Sequence, residues 1–224
     1  GGKLKIVAGA GNNEPSHSVT QAKMAADAGA DGLLVVTPYY NKPPQAGIEA
    51  HFRAMADATD VPIMLYDIPG RTGVAIEPDT ICRLAEHKNI VALKDAKGDV
   101  ASTSWVIKRS GIPVYSGDDI LNLSLLSVGA VGFVSVCGHT VGNRLREMLD
   151  TWFAGDSNRA LQIHQELLPV FTGTFRTQGA ILTKAALKLM GLPGGRVRLP
   201  LVDATDSQIS QLREDLKLGG VKLN

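Results

Sequence analysis

Cysteine is scarce. Cys82 and Cys137 are the only two in 224 residues, too few and too widely separated for a disulfide framework or a zinc site. Both read as small buried hydrophobes. Excess charge is also missing: 23 basic residues face 22 acidic ones, the formal net charge is +1, and no basic block interrupts the mixture. That removes the electrostatic case for nucleic acid as a partner. Long apolar runs are absent as well, since the longest nearly uncharged stretch, Gly129 to Gly138, is far too short to span a bilayer. The opening Gly1, Gly2, Lys3 has no signal-peptide pattern. No HExxH pair occurs among His17, His51, His87, His139 and His164, and there is no phosphate-loop lysine motif. With no metal site and no membrane anchor indicated, the expectation is a cytoplasmic globular chain that acts on a small molecule.

What is present is repetition. A short apolar run, a glycine-rich or polar break and a helical pattern follow one another, the signature of βα units and a parallel sheet. The expected strands are Leu4 to Ala8, Leu33 to Thr37, Ile63 to Tyr66, Ile90 to Lys94, Val114 to Ser116 and Gly132 to Val136. The first four begin at residues 4, 33, 63 and 90, a step of 27 to 30 that suits one strand, one helix and two loops. Helical periodicity fills the gaps at Ser18 to Ala28, Gly47 to Ala58, Pro78 to His87, Ala101 to Arg109 and Ile120 to Val128. From about Thr140 the texture is helical throughout, near Gly142 to Phe153, Ser157 to Phe171, Gly179 to Met190 and Ser207 to Leu218.

A (β/α)8 barrel needs eight strands and about 250 residues. Six strands are counted here, so the expected architecture is an α/β TIM barrel lacking its first two βα units, with a C-terminal helical appendage. The expected division is residues 1–155 as the partial barrel, strands three to eight, and 156–224 as the helical domain. A doubly wound open sheet is the rival, because six parallel strands suit it equally.

In a barrel the chemistry sits where strands end. Lys94 closes the apolar run Ile90, Val91, Ala92, Leu93, and period-two alternation puts it on one face with Ile90 and Ala92. Two readings fit that position. A desolvated lysine is biased toward the neutral amine, which attacks carbonyls to form a Schiff base; a strand-terminal lysine also commonly snorkels its ammonium to water. Tyr66 ends the preceding strand, where its phenol either passes protons to the same cavity or packs with its hydroxyl satisfied. Arg71 stands in a Pro-Gly turn, and its planar fork suits a carboxylate or solvent. Gly9, Ala10, Gly11 after the first strand is a weak match to a dinucleotide fingerprint, because Glu14 occupies the third glycine position.

Four segments sharpen these alternatives: TPYYNKP at Thr37 to Pro43, YDIPGRTG at Tyr66 to Gly73, ALKDAKGD at Ala92 to Asp99 and YSGDD at Tyr115 to Asp119. In that order and at those intervals, essentially the whole chain resembles the dihydrodipicolinate synthase family of pyruvate-dependent class I aldolases. The resemblance implies a lyase of lysine and diaminopimelate biosynthesis. Lys94 would condense with pyruvate, and the resulting enamine would attack L-aspartate 4-semialdehyde to give 4-hydroxy-tetrahydrodipicolinate. Tyr66 would relay protons, and Tyr40 would reach into a neighbouring subunit's site. Arg71 would hold the semialdehyde carboxylate, while Gly117 and the carbonyl of Val134 would line the pocket. No cofactor is implied. The partners are the two small-molecule substrates, with a homotetramer, a dimer of dimers, as the assembly.

The same superfamily holds N-acetylneuraminate lyase and keto-deoxy sugar-acid aldolases, which share the lysine and tyrosine, so these remain the alternative activity. Arg71 discriminates, because a short aldehyde bearing a carboxylate needs that cation. A catalytically silent fragment is the non-enzymatic alternative, since the family's GTTGE motif, whose threonines serve the pyruvate carboxylate, has no counterpart among these residues. For lysine feedback the resemblance implies an asparagine, a glutamate and a tyrosine; Asn13 and Tyr39 match, and His17 stands at the glutamate's place.

Overall fold

The computed structural model describes residues 4–224; Gly1, Gly2 and Lys3, and the reading made of them, lie outside these. The chain divides into two compact units, Gly1–Asp118 with Ser124–Val134 and Asp119–Leu123 with Ser135–Asn224.

The first unit is built on six strands, β1 (Val7–Gly9), β2 (Gly32–Val36), β3 (Ile63–Asp67), β4 (Ile90–Asp95), β5 (Val114–Ser116) and β6 (Gly132–Phe133). All neighbours are parallel and the spatial order is β1-β2-β3-β4-β5-β6. That order decides between the two expected architectures. A doubly wound sheet reverses direction at a switch point, whereas a barrel adds each strand beside the last. The doubly wound rival is therefore excluded, and the six strands form a run of barrel-type βα units.

Helices α1 (Pro15–Asp27), α2 (Gln45–Asp57), α3 (Pro69–Thr72), α4 (Pro78–Ala85), α5 (Val100–Ser110) and α6 (Asn122–Ser127) connect them. Helix α1 starts earlier than periodicity suggested, because the Glu14 carboxylate accepts from the Ser16 and His17 N–H groups while Pro15 occupies the first turn. Helix α5 is capped by Asp99, which accepts from Ser102 N, and ends at Gly111 with φ +66. The short α3 was not foreseen; Pro69 and Gly70 read as a turn, and the turn winds once into a helix closed by Gly73 at φ +82. Gly11 has a packing reason: a Cβ there would lie 2.6 Å from Val36 N. The glycine at this position thus lets the loop after β1 approach β2.

Core residues Leu33, Val35, Phe52, Met55, Ile63, Leu65, Ile81, Leu84, Leu93 and Val106 form one cluster between the sheet and these helices. Ile90 belongs to it too, which corrects one expectation. Pairing steps from Ile63↔Ile90 to Met64↔Ala92, so β4 carries an extra residue at Val91, which is turned outward. Past this irregularity the faces swap. Ile90 and Leu93 face the core, and Lys94 shares its face with Ala92 but not with Ile90.

Strand β6 is shorter than expected. Val134 N still donates to Ser116 O at 2.8 Å, but Val136 N and Cys137 N donate to the buried carboxylate of Asp119 at 3.1 and 3.0 Å, and those bonds replace a ladder. They belong to the second unit, where α7 (Gly138–Phe153), α8 (Ser157–Thr174), α9 (Gly179–Leu189) and α10 (Asp206–Leu218) pack around Met148, Ile163, Leu167, Phe171, Leu182, Ala186, Leu212 and Leu216. Helix α10 opens on a capping box, Thr205 and Gln208 each holding the other's backbone N–H. Among the described residues no helix is long and apolar enough to cross a membrane.

Phe52 is fully buried on α2, whereas Trp105 on α5 is 58% exposed. Phe52→Ala is expected to cost about 3–5 kcal/mol of stability, and Trp105→Ala no more than about 0.5 kcal/mol. Urea unfolding midpoints of the two variants would check the contrast.

Candidate active site

Register brings the first two expected residues together. Across the β3–β4 ladder Tyr66 pairs with Lys94, and across β4–β5 Lys94 pairs with Tyr115. Lys94 is 8% exposed, so the snorkelling alternative is set aside. Its Nζ lies 4.0 Å from the centroid of the Tyr66 ring, a cation–π distance. Burial pushes the Tyr66 phenol above its ordinary pKa, with the negative charge of Asp118 adding to the shift and Arg71 opposing it. The phenol is therefore kept protonated at neutral pH, as a hydrogen-bond and proton donor.

Gly117 completes this cluster. A Cβ on it would stand 2.8 Å from Lys94 Cε, 2.9 Å from Lys94 Cγ and 3.2 Å from Ala96 Cβ. The lysine stem thus lies against bare backbone, which Gly117 N joins to Asp95 O at 2.7 Å. Val134 sits next along, half-buried at the end of β6.

Arg71 lies on α3, exposed, near enough to act on the Tyr66 phenol. Tyr40 is different: it is 88% exposed with φ +75, and its N–H donates to Thr72 O at 3.3 Å. The structure therefore ties Tyr40 to the Arg71 loop by backbone and leaves its phenol outside the buried cluster. Tyr39 is partly exposed in the same β2–α2 loop, and Asn41 Nδ2 donates to Asn13 O at 2.9 Å, joining that loop to the β1–α1 loop. His17 is an exposed residue of α1. Among the described residues no group of three or more His, Cys, Asp or Glu side chains is placed to hold a metal.

The Dihydrodipicolinate synthetase family matches residues 1–218. The chain belongs to that family. It is 59% identical over 223 residues to 4-hydroxy-tetrahydrodipicolinate synthase 2 of Streptomyces coelicolor, covering 100% of this chain and 75% of the relative. It is also 59% identical over 220 residues to 4-hydroxy-tetrahydrodipicolinate synthase of Acidothermus cellulolyticus, with 98% and 71% covered. Among solved structures, the dihydrodipicolinate synthase of Cyanidioschyzon merolae with lysine bound superposes with a TM-score of 0.94 at 43% identity, over 97% of this chain and 75% of that one.

In this family member one set of groups escaped the sequence reading, the layer directly behind Tyr66 and Lys94. Asp67 pairs with Asp95, and both carboxylates are buried. Asp67 Oδ1 accepts from Ile76 N at 3.1 Å; Asp67 Oδ2 has no hydrogen-bond partner, and Lys97 Nζ lies 3.8 Å from it. Asp95 accepts from Lys97 N at 2.9 Å and from the Thr103 hydroxyl. The signal was available: each carboxylate directly follows a candidate catalytic residue, so alternation must turn it to the opposite, helix-facing side.

Burial raises the Asp67 pKa to about 7, reinforced by Asp95 and opposed by Ile76 N–H and Lys97. A carboxyl whose folded pKa exceeds its unfolded value near 4 binds its proton more tightly when folded. Stability should therefore fall as pH rises from about 4 to about 7, by something on the order of 4 kcal/mol, and level off above. Unfolding free energies of the wild type and Asp67→Asn across that window test this; a difference that does not change with pH would refute it.

Proposed function

We propose that this chain is a Schiff-base lyase condensing pyruvate with L-aspartate 4-semialdehyde to 4-hydroxy-tetrahydrodipicolinate, in lysine and diaminopimelate biosynthesis. The observation that carries the reading is the buried Lys94 amine against the Tyr66 ring, in a chain 59% identical to proteins named for that reaction. Two relatives at 59% identity are named for this reaction, which favours it over the alternative activity.

The chemistry follows from the groups in place. The Lys94 amine, once neutral, attacks the pyruvate keto carbon and forms the C–N bond. The two protons that the nitrogen gives up pass in turn through the Tyr66 phenol to the former keto oxygen, which leaves as water and gives the imine. Transfer of a methyl proton to the imine nitrogen gives an enamine, whose carbon bonds to the aldehyde carbon of the second substrate while the N–H proton passes to the aldehyde oxygen and makes it a hydroxyl. The semialdehyde's own amine then closes the ring on the imine carbon and frees Lys94. The imine formed on the Lys94 amine is the electron sink, so no cofactor is implied in these steps.

In the same proposal Arg71 holds the semialdehyde carboxylate as a charge-assisted fork, and Gly117 and the Val134 carbonyl line the pyruvate end. Tyr40, exposed with a positive φ, serves a neighbouring subunit's site in a homotetramer. Asn13, His17 and Tyr39 are the proposed lysine-feedback residues; the Asn41–Asn13 bond that joins their loops, and the lysine-bound relative, support that placement. The six βα units correspond to strands three to eight of an eightfold barrel, with 1–155 as the barrel segment and 156–224 as the helical segment, in a cytoplasmic enzyme.

Incubation with pyruvate and borohydride, followed by peptide mapping, is expected to place the reduced adduct on Lys94; a folded sample labelled elsewhere or not at all would sink the reading. Pyruvate with aspartate semialdehyde should turn over and N-acetylneuraminate should not. Gly117→Ala, which forces the Lys94 stem aside, should slow adduct formation by about tenfold or more with little change in the unfolding midpoint.

A further inference from the structure

The loop that carries Arg71 leaves the sheet at Asp67 and returns to it at Ile76, nine residues later by number. Its outer part is held by neutral contacts: Tyr40 N to Thr72 O, and Gln45 Nε2 to Ala75 O at 2.9 Å. Its return is held otherwise. Ile76 is fully buried; its N–H donates to Asp67 Oδ1, and its carbonyl accepts from Lys97 Nζ at 3.5 Å. Both peptide groups of one residue are thus gripped, one by the Asp67 carboxyl and one by the Lys97 ammonium, which are themselves 3.8 Å apart.

Lys97 is in turn fixed to the strand that bears Lys94. Its backbone N–H donates to Asp95, the residue after Lys94, and its Nζ donates to Ser102 Oγ at 2.8 Å. Ala96 N donates to Asp67 O at 2.9 Å, closing the same ring of contacts from the backbone side. One continuous set of polar contacts therefore links the Lys94 strand to the end of the Arg71 loop, on the face of the sheet away from the reacting groups.

We propose that Asp67 and Lys97 are positioning residues that act as a clasp on the Arg71 loop and set the distance between the imine-forming amine and the cation that receives the second substrate's carboxylate. The clasp touches neither substrate. Releasing it leaves Lys94 and Tyr66 paired in the ladder and lets Arg71 drift, so binding of the semialdehyde suffers while imine formation with pyruvate does not. Misplacement of a substrate-holding group by about an ångström costs up to about a hundredfold. The inference rests on the reading of Arg71 as the holder of the semialdehyde carboxylate.

The test uses the active enzyme, four single variants, Arg71→Ala, Asp67→Ala, Asp67→Asn and Lys97→Met, and the double variant Arg71→Ala with Asp67→Ala, with two readouts: KM for aspartate semialdehyde at saturating pyruvate, and the rate of pyruvate–borohydride trapping at Lys94. Asp67→Ala and Lys97→Met are expected to raise the semialdehyde KM about tenfold or more with trapping unchanged. Asp67→Asn, which keeps an acceptor for Ile76 N–H, should return KM to within about threefold of wild type. Asp67→Ala added to Arg71→Ala should do little further harm, since both act through one group. If Arg71→Ala leaves KM unchanged, the reading of Arg71 fails and the clasp with it. If Arg71→Ala raises KM while Asp67→Ala and Lys97→Met do not, or if these two slow trapping equally, the clasp alone is overturned. Should Asp67→Ala fail to fold, Lys97→Met decides, because it keeps the carboxylate and replaces the ammonium with an apolar group of similar length.

Discussion

Tyr66 pairs with Lys94 and Asp67 with Asp95 across the β3–β4 ladder, and that register organises everything around it. Side chains alternate faces along each strand, so one alignment produces two layers at once. The amine and the phenol meet on one face; two carboxylates meet behind them on the other. A slip of a single residue would exchange the layers and bury the wrong charges. The irregularity at Val91 is the device that makes the alignment compatible with the core, since it keeps Ile90 and Leu93 among the apolar residues while turning Lys94 the other way.

Burying charges in both layers is costly unless they are paired or neutralised. The rear layer meets that cost in three ways. Asp95 takes hydrogen bonds from Lys97 N and Thr103, Lys97 faces Asp67, and the Asp67 carboxyl is raised to about 7, so that it shares in neutralising itself. In the front layer Lys94 lies over the Tyr66 ring, and the same burial raises the pKa of that phenol. Gly117 then fits bare backbone against the lysine stem, and no other residue type leaves that space open.

Much of this is legible in the sequence alone. The strand spacing at 4, 33, 63 and 90 announces parallel βα units without choosing between a barrel and a doubly wound sheet, and Lys94, Tyr66 and Arg71 stand at or just after strand ends, where such folds place chemistry. Boundaries were less legible where side chains do the work of ending elements. Glu14 begins α1 earlier than periodicity shows, and Asp119 takes the N–H groups that would have extended β6 past Phe133. The winding of Pro69 to Thr72 into a helical turn was hidden because Pro-Gly also makes ordinary turns.

By itself the sequence determined which chemistry is available: an amine, a phenol and a guanidinium in motifs that resemble one family, on strands whose repeat demands a parallel sheet. It also determined that carboxylates would follow Tyr66 and Lys94, because the letters are adjacent. Only the tertiary structure decided which of these groups meet. Strand order, the bulge at Val91 and the return of the Arg71 loop to Asp67 depend on contacts between residues far apart along the chain, and pairing of that kind is set by packing and burial, which no local pattern encodes.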